Sequence, residues 1–248
     1  MLSTVIITYN EEANIERCIR SVQSFCIDVV VIDSFSTDRT KEICLDLGVL
    51  FMQKEWKGYS NAKNKGNEAA VGDWILSLDA DEEITSELAK EIIKASKQKD
   101  FDAYYIPRLT QYCGKWIKHG GWYPEKHIRL FRKSKAEWNS DEVHEDLIVS
   151  GKTGSLKKNM LHYSMNTVEE HLEKVEKYST LAAQKMKRKG KKPGFVKLKL
   201  APPFKFFRDY ILRLGFLDGV EGFRIAKICS HEVYLKYAKL KELYGQDG

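Results

Sequence analysis

The sequence predicts an α/β domain built on a mostly parallel sheet with helices on both faces, followed by a helical, basic C-terminal extension. Apolar runs rich in Val and Ile alternate four times with segments of helical periodicity in about the first eighty residues, which is typical of such a sheet. Residues 1–151 hold 20 Lys and Arg against 25 Asp and Glu, a net charge of −5. Residues 152–248 hold 21 against 10, a net charge of +11. We therefore expect the two parts to meet different partners.

The length of 248 residues fits one large domain or one domain with an appendage. Its five cysteines are scattered without a Cys-x-x-Cys pair, which argues for a reducing compartment and against a disulfide framework or a zinc cluster. The first residues lack the basic stretch of a signal peptide, and no apolar run reaches the length of a membrane span. Neither a signal peptide nor a transmembrane helix is expected.

Three strands are predicted early in the chain, over residues 2–8, 28–33 and 49–52. The helix after the first strand takes Asn10 as its predicted N-cap. Gly48 closes the helix after the second strand as a C′ residue. A third helix, over residues 59–70, carries Lys63 and Lys65 and is predicted to cover the sheet.

The fourth strand begins at Trp74 and stops abruptly at Asp79-Ala80-Asp81. Two carboxylates one residue apart, at the carboxyl end of a buried strand, lie where open α/β sheets bind ligands. Hard oxygen ligands of this kind suit Mg²⁺ or Mn²⁺ carrying a substrate diphosphate. An isolated Asp-x-Asp is more often a solvated acidic turn, but the strand before it favours a metal and phosphate site here.

The regular alternation ends after a helix predicted over residues 85–99. Further strands are predicted over residues 102–109, 127–131 and 156–163. Between the first two lies a loop rich in glycine and aromatic residues, 114–124, which either covers a site or forms a packing hairpin. A capping box, Thr167 with Glu170, begins a long helix toward residue 187.

The C-terminal part is basic. Residues 185–199 hold eight Lys and Arg and no acid, and we interpret them as a surface linker. Two helices follow, broken near residues 215–219, with Phe, Ile, Leu and Tyr interleaved with Arg and Lys. A basic amphipathic pair of this kind fits the face of an anionic membrane. The alternative is a pair of helices packed on the catalytic domain with a solvated basic side.

Two nucleotide-binding motifs are absent. No G-x-G-x-x-G fingerprint follows the first strand, and no Walker lysine motif occurs, which argues against an ordinary dinucleotide-binding domain and a P-loop enzyme. Two other classes remain as alternatives. A nucleotidyltransferase also uses paired carboxylates, a metal and a nucleotide. A basic nucleic-acid or membrane binding module would use the +11 half alone, although no recognisable RNA or DNA motif is present.

Four stretches together carry a family resemblance. VIITYNEE, VVVIDSFSTDRT, AKNKGNEAAVGDWILSLDADEE and VHED resemble, in order and spacing, the family 2 glycosyltransferases of the GT-A fold. RKGKKPGFVK and FRDYILRLGFLDGVEGF resemble the branch that contains bacterial lipopolysaccharide core β-1,4-glucosyltransferases. The resemblance implies a GT-A catalytic domain over residues 1–165 and a helical extension over residues 166–248 that associates with a membrane or acceptor.

The resemblance also implies a nucleotide-sugar site. Its residues are Thr8, Tyr9, Asn10, Glu11, Asp33, Ser36, Asp38, Lys65, Asp79, Ala80, Asp81, Gly120 and Gly121. Asp33 would accept a hydrogen bond from a pyrimidine base, which favours uracil. Lys65 would lie near the diphosphate, unless it is an exposed helix lysine. Gly120 and Gly121 would line the donor sugar, where only a residue without a side chain allows its approach.

Metal and base residues follow from the same resemblance. Asp81 resembles the direct metal ligand, and Asp79 resembles the residue near the ribose and donor sugar. His162 would complete the metal shell, or it is a structural histidine after a strand. The implied cofactor is Mg²⁺ or Mn²⁺. Asp146 resembles the general base of the x-Glu-Asp motif, and Glu145 is the neighbour that could exchange this role.

The implied activity is inverting, metal-dependent transfer of one sugar. The donor would be UDP-glucose or a similar UDP-hexose, and the acceptor a lipid-linked saccharide such as the lipopolysaccharide inner core. The chain lacks the Gln-x-x-Arg-Trp motif of processive synthases, which argues against polymer synthesis. We expect a cytoplasmic protein on the inner face of the membrane, with no nucleic-acid partner. The alternative acceptor is a polyprenyl-diphosphate-linked saccharide of capsule or exopolysaccharide synthesis.

Overall fold

A computed structural model describes residues 1–139, 146–192 and 194–245 of the protein. The chain forms two compact units. The first unit comprises Met1–Arg108 and Glu125–Tyr163, and the second comprises Leu109–Pro124 and Ser164–Gly248. The two domains predicted over residues 1–165 and 166–248 remain a prediction.

Strands and helices alternate in the first part of the chain, as predicted. The described residues form the strands β1 (Leu2–Thr8), β2 (Asp28–Asp33), β3 (Leu50–Gln53), β4 (Trp74–Asp79), β5 (Glu82–Ile84), β6 (Ala103–Tyr112), β7 (Lys115–Trp116), β8 (Glu125–Arg132), β9 (Ala136–Trp138), β10 (Leu147–Val149), β11 (Thr153–Ser155) and β12 (Met160–Met165). The α-helices are α1 (Ile15–Gln23), α2 (Thr40–Asp46), α3 (Tyr59–Ala69), α4 (Ser86–Lys97), α5 (Val168–Arg188), α6 (Phe195–Phe207) and α7 (Gly219–Gly245).

The main sheet has a parallel half and an antiparallel half. Its strand order is β3-β2-β1-β4-β8-β6-β12-β5, and β3, β2, β1 and β4 run parallel. β8 pairs antiparallel with both β4 and β6. The register places Thr8 opposite Asp33 and Ile7 opposite Asp79. The last residues of three parallel strands therefore meet at one edge of the sheet.

Helices cover both faces of the parallel half. Successive residues of a strand point to opposite sides, so each strand contacts the helices on both faces. Val5 and Ile7 of β1 belong to a buried cluster with Ala62 of α3. Ile6 belongs to a second cluster, with Ile19 of α1. The strand is thus apolar at consecutive positions, as expected of a parallel strand buried on both faces.

The helix α3 lies very close to the sheet at Gly66. A Cβ atom there would be 2.2 Å from Val5 Cγ1 and 3.2 Å from Ile32 Cγ1, both in buried strands. A side chain at this position would force the helix away from the sheet, so the glycine sets the depth at which α3 packs.

The second unit is mainly helical. α5 begins at its predicted capping box: the Glu170 N–H donates to Thr167 Oγ1 at 3.1 Å. The return hydrogen bond is shifted by one residue, because Glu170 Oε2 accepts from the Asn166 N–H at 2.8 Å. α6 and α7 pack together, with the Phe206 and Phe223 rings 5.8 Å apart in an edge-to-face arrangement.

Several predicted boundaries differ from the observed ones, and two of them differ most. The surface linker predicted over residues 185–199 is mostly helical, since α5 continues to Arg188 and α6 begins at Phe195. Lys, Arg and Met are good helix formers, and basic residues in a last turn complement the helix dipole, so α5 extends into the charge run before it ends at Arg188. The strand predicted over residues 156–163 is observed at Met160–Met165.

All five cysteines lie in the described part of the chain and are free thiols. Among the described helices, none has both the length and the hydrophobicity needed to cross a bilayer.

Candidate active site

The carboxyl edge of the parallel strands holds two loops that are tied together. The Asn10 N–H donates to Ser36 Oγ at 2.8 Å, and Asn10 Oδ1 accepts from the Thr37 N–H at 2.8 Å. Asn10 has a left-handed backbone, with a φ of 53°. The Glu12 N–H donates to Asp38 Oδ2 at 3.0 Å. These bonds join the loop after β1 to the loop after β2, so Asn10, Ser36 and Asp38 build one structure.

This arrangement corrects the prediction that Asn10 caps the first helix. α1 begins at Ile15, with Asn14 before it, and the Asn10 side chain instead accepts a hydrogen bond from a loop 27 positions later. Tyr9 beside it is 58% exposed, which leaves its ring available to a ligand.

Asp33 lies beneath the second loop and is fully buried. Its carboxylate accepts hydrogen bonds from the Ser36 N–H and from Gln53 Nε2, each at 3.0 Å, and a short one from Ser36 Oγ. An ionised carboxylate offers about four acceptor positions. Asp33 therefore supports the loop and keeps limited capacity to accept a further donor.

A buried ion network lies at the end of β4. Arg129 Nη2 is 2.5 Å from Asp79 Oδ2 and 2.7 Å from Glu82 Oε1. Lys63 Nζ is 3.5 Å from the other oxygen of Asp79, and the Asp79 N–H donates to Glu82 Oε2 at 2.9 Å. Arg108 Nη1 lies 3.4 Å from Glu82 Oε1. Two carboxylates are thus shared among three cations.

The network moves the pKa values of its two acids in opposite directions. Burial alone would raise the pKa of Asp79, but the charges of Arg129 and Lys63 outweigh it and hold that pKa well below its usual range. Burial, followed by the repulsion of Asp79, raises the pKa of Glu82 despite the attraction of Arg129. Asp79 is therefore a permanent anion at neutral pH.

The second aspartate of the Asp-x-Asp pair faces a histidine. Antiparallel pairing of β12 with β5 sets His162 opposite Glu82. His162 Nε2 lies 3.2 Å from Asp81 Oδ2, and both side chains remain partly exposed. Ala80 between the aspartates is buried. The predicted metal residues Asp81 and His162 are thus neighbours.

The donor set fits a divalent cation that also binds a substrate. Among the described residues, no group of three or more His, Cys, Asp or Glu side chains is arranged to hold a metal. Mg²⁺ and similar cations are usually held by only one or two protein carboxylates, with substrate phosphates and water completing the shell. One carboxylate oxygen and one imidazole nitrogen, 3.2 Å apart, suit that mode.

A cavity of about 460 Å³ joins Asp79 to Asp146. Its lining includes Lys63, Asp79, Arg108, Arg129, Trp138 and Asp146. Asp146 is exposed and is positioned by Asn139, whose Oδ1 accepts from the Asp146 N–H at 3.2 Å. Glu145, the other predicted base residue, lies outside the described residues.

Comparison with known proteins decides the family. The glycosyl transferase family 2 model matches residues 3–148. This chain belongs to glycosyltransferase family 2. An uncharacterized glycosyltransferase of Rickettsia typhi is 35% identical over 98% of this chain and 87% of its own. The lipopolysaccharide core biosynthesis glycosyltransferase LpsC of Rhizobium meliloti is 31% identical over 96% of this chain and 93% of its own.

The fold of this family 2 glycosyltransferase also matches a solved structure. S. aureus TarS 1–349, solved with UDP, aligns with a TM-score of 0.53 and 17% identity, covering 100% of this chain and 92% of that one. The GT-A fold predicted from the sequence is confirmed, and so is the resemblance to the lipopolysaccharide core branch of the family.

The structure of the family 2 glycosyltransferase places Lys63, and not Lys65, beside Asp79. Lys65 Nζ pairs with Glu68 at 2.7 Å and is 45% exposed, whereas the Lys63 side chain is 6% exposed. Residues two apart on a helix point in different directions, so only one of these lysines can face the sheet. Lys63 also lies 4.5 Å from the Trp138 ring, a cation–π contact.

Sequence reasoning also missed Arg129, Glu82, Arg108 and Trp138. A signal for Arg129 was present: it is an arginine inside the otherwise apolar run from Ile128 to Phe131. A charge in such a run is buried only when an opposite charge meets it.

Gly120 and Gly121 belong to the second unit. Both have a positive φ, 68° and 84°. The Gly120 N–H donates to the Arg213 carbonyl at 2.9 Å, and a Cβ at Gly121 would lie 2.3 Å from Arg213 Nη1. The positive φ angles favour glycine at both positions for reasons of backbone conformation. The contact of Gly120 and Gly121 with a donor sugar stays a prediction.

Proposed function

We propose that this glycosyltransferase moves one hexose from a UDP-sugar to a lipid-linked saccharide, with a divalent cation and with inversion of the anomeric centre. The observation that carries the proposal is that Asp79 and Asp146 line the same cavity. In this cavity Asp79, proposed to contact the donor sugar, and Asp146, the candidate base, can reach the same sugar.

The nucleotide is proposed to bind the joined loops after β1 and β2. Thr8, Tyr9, Asn10 and Glu11 would meet the base and ribose together with Asp33, Ser36 and Asp38. TarS was solved with UDP and, separately, with UDP-GlcNAc, which makes UDP-sugars the first donors to test. Lys65 was predicted near the diphosphate, and Lys63 competes with it for that role because it lies against Asp79.

Asp81 and His162 would hold Mn²⁺ or Mg²⁺. The bound cation would neutralise charge on the departing nucleoside diphosphate. Arg129 holds Asp79 ionised and in a fixed orientation, so that this carboxylate can accept hydrogen bonds from ribose or donor-sugar hydroxyls.

Asp146 is proposed as the base. It takes the proton of the acceptor hydroxyl as that oxygen attacks the anomeric carbon. The bond from the anomeric carbon to the diphosphate oxygen breaks on the opposite side, and the bonding electrons leave with the diphosphate. An α-linked donor gives a β-glycoside. Glu145 remains the alternative base.

A lipid-linked acceptor is supported by the relative LpsC, whose name assigns that protein to lipopolysaccharide core synthesis. We infer that this chain acts on a lipid-linked saccharide at the inner face of the cell membrane, where the basic C-terminal helices meet anionic lipid.

A panel of nucleotide sugars tests the proposal. Thermal shift and donor hydrolysis are measured with each donor, with and without Mn²⁺. We expect a Mn²⁺-dependent shift with one UDP-hexose. Response to an ADP- or GDP-sugar alone would overturn the assignment of uracil as the nucleobase of the donor. No response to any donor would overturn the proposed activity. Release of pyrophosphate from a nucleoside triphosphate and a sugar phosphate would favour a nucleotidyltransferase instead.

A further inference from the structure

The helix α6 presents an apolar face to solvent. Val196, Leu200, Phe204 and Phe207 are each between 49% and 65% exposed. At about 100° per residue, their spacing of four, four and three keeps them within an arc of roughly 80°. A surface helix normally carries polar residues on the side away from its packing partner. The exposed stripe therefore has the pattern of a face that a partner covers.

The opposite face of α6 is already occupied within the second unit. Pro202 is buried, and its carbonyl accepts from Ser230 Oγ of α7 at 2.7 Å. Phe206 packs edge to face against Phe223 of α7. The helix is thus held to α7 along one side, and the apolar stripe lies on the other.

Exposed apolar residues continue directly after the stripe. Each of the following is at least 41% exposed: Ile211, Leu212, Leu214, Phe216, Leu217 and Val220. Single exposed apolar side chains are ordinary, but a run of them marks an interaction surface.

The charge of the same segment identifies the kind of partner. Residues 189–217 contain eight basic residues and one acid, Asp209. Asp209 is 3% exposed and is neutralised by Lys205, by Arg208 Nε at 2.8 Å and by Arg213 Nη1 at 3.3 Å. The exposed side chains of the segment are therefore apolar or cationic, which complements an anionic surface with an apolar interior.

Charge repulsion opposes the binding of a second copy of the chain at this face. In a two-fold contact the same patch faces itself, so the exposed basic residues around the stripe of one copy would lie near those of the other. Like charges brought together in this way oppose association.

We propose that Val196, Leu200, Phe204 and Phe207 insert into the hydrocarbon edge of an anionic membrane, while the surrounding Lys and Arg contact the lipid head groups. An amphipathic helix with a basic polar side binds membranes in this position, with its apolar face roughly 5–10 Å deep. The proposal deepens the membrane partner named above and rests on the proposed function for its lipid-linked acceptor.

The test compares two matched double variants of the full chain. Leu200→Ser with Phe204→Ser removes the centre of the stripe. Leu181→Ser with Tyr178→Ser removes two side chains of α5 that are 49% and 51% exposed. Co-sedimentation is measured with vesicles of equal parts phosphatidylcholine and phosphatidylglycerol, at low salt and at about 1 M salt, where surface electrostatics are largely screened. Monolayer surface pressure reports insertion.

We expect the wild type and the α5 variant to bind at low salt, to retain binding at high salt and to raise the surface pressure. The α6 variant should lose roughly 10²-fold or more in partitioning, because two large apolar side chains no longer leave water. Undiminished binding or insertion by the α6 variant would overturn the proposal. So would a wild-type dimer in light scattering that the α6 variant abolishes, since the face would then bind a second copy.

Donor hydrolysis in vesicle-free solution separates this proposal from the proposed function. Both double variants should hydrolyse the donor at the wild-type rate. Vesicle binding without hydrolysis of any donor would support membrane insertion and contradict the proposed activity. Hydrolysis without vesicle binding would support the activity and contradict membrane insertion.

Discussion

Arg129 Nη2 lies 2.5 Å from Asp79 Oδ2, and the Arg129 side chain is 5% exposed. The same nitrogen reaches Glu82, so one buried guanidinium holds two carboxylates at the end of β4. This nitrogen carries two N–H donors, so it can donate one hydrogen bond to each carboxylate. The orientation of Asp79 in the candidate site therefore depends on a residue fifty positions later in the chain.

Replacing this guanidinium should cost stability and activity together. Arg129→Gln leaves the buried Glu82 and the partly exposed Asp79 without their shared cation. Breaking a fully buried ion pair typically costs about 3–5 kcal/mol in the free energy of unfolding, and we expect a smaller loss here because Lys63 still faces Asp79 and Arg108 still faces Glu82. Urea denaturation measures the loss. The matched control is Arg20→Gln, because Arg20 pairs with Glu16 on an exposed helix face at 2.7 Å, a pair worth about 0–1 kcal/mol. Equal losses in the two variants would show that the Arg129 pair is not structurally important.

Two lysines of α3 give a paired test of the diphosphate contact. The structure predicts that Lys63→Gln lowers kcat/KM for the donor by roughly 10²-fold, as loss of a positioned charge in a dry site usually does. Lys65→Gln should have a small effect, because Lys65 is exposed and pairs with Glu68. The family resemblance predicts the reverse order, so steady-state kinetics of the two variants decides between them.

The Asp81–His162 pair should control the metal requirement. Asp81→Asn is expected to lower turnover roughly 10²-fold or more. His162→Gln should raise the Mn²⁺ concentration needed for half-maximal activity while leaving turnover at saturating Mn²⁺ less affected. His231→Gln, in α7, is the matched control. An unchanged Mn²⁺ titration in His162→Gln would assign that histidine a structural role.

The buried His171 predicts a pH-dependent loss of stability in the second unit. Burial, assisted by the Lys174 charge, lowers the pKa of His171 from 6.5 to about 4, and its Nδ1 lies 3.2 Å from Tyr112 Oη. Between these values the unfolded chain binds a proton that the folded chain does not, so stability falls as pH falls.

From pH 7 to pH 5 this residue should remove about 2 kcal/mol, at about 1.4 kcal/mol per unit of pKa difference across the titrating range. Urea denaturation of the wild type and of His171→Gln at both pH values measures it. Between pH 7 and pH 5 the variant should lose about 2 kcal/mol less of its free energy of unfolding than the wild type. Identical pH dependence in the two proteins would mean that the pKa of His171 is the same in the folded and the unfolded chain.

The parallel half of the sheet could be predicted because its signals are local. Apolar strands such as β1 and β4 and the helices between them depend on residues a few positions apart. Asn10 shows the limit. Its type fits both a helix cap and a loop, and the Thr37 N–H that decides between them lies 27 positions away.

The acidic residues of the candidate site could be predicted from the sequence, whereas its basic residues could not. Asp79 and Asp81 follow a buried strand directly, so their place at the sheet edge follows from the sequence. Arg129 reaches that edge only because β8 pairs antiparallel with β4, a pairing that no local pattern specifies. Lys63 could be chosen over Lys65 only once the rotation of α3 on the sheet was known.

The most direct test of the central claim is the anomeric configuration of the product. An α-linked UDP-hexose and a lipopolysaccharide core acceptor are supplied to the wild type and to Asp146→Asn, and the new linkage is assigned by NMR. We predict a β-linked product from the wild type. Asp146→Asn should transfer at least roughly 10²-fold more slowly while still binding the donor. An α-linked product would contradict inversion. Wild-type turnover by both Asp146→Asn and Glu145→Gln would contradict a base at this position.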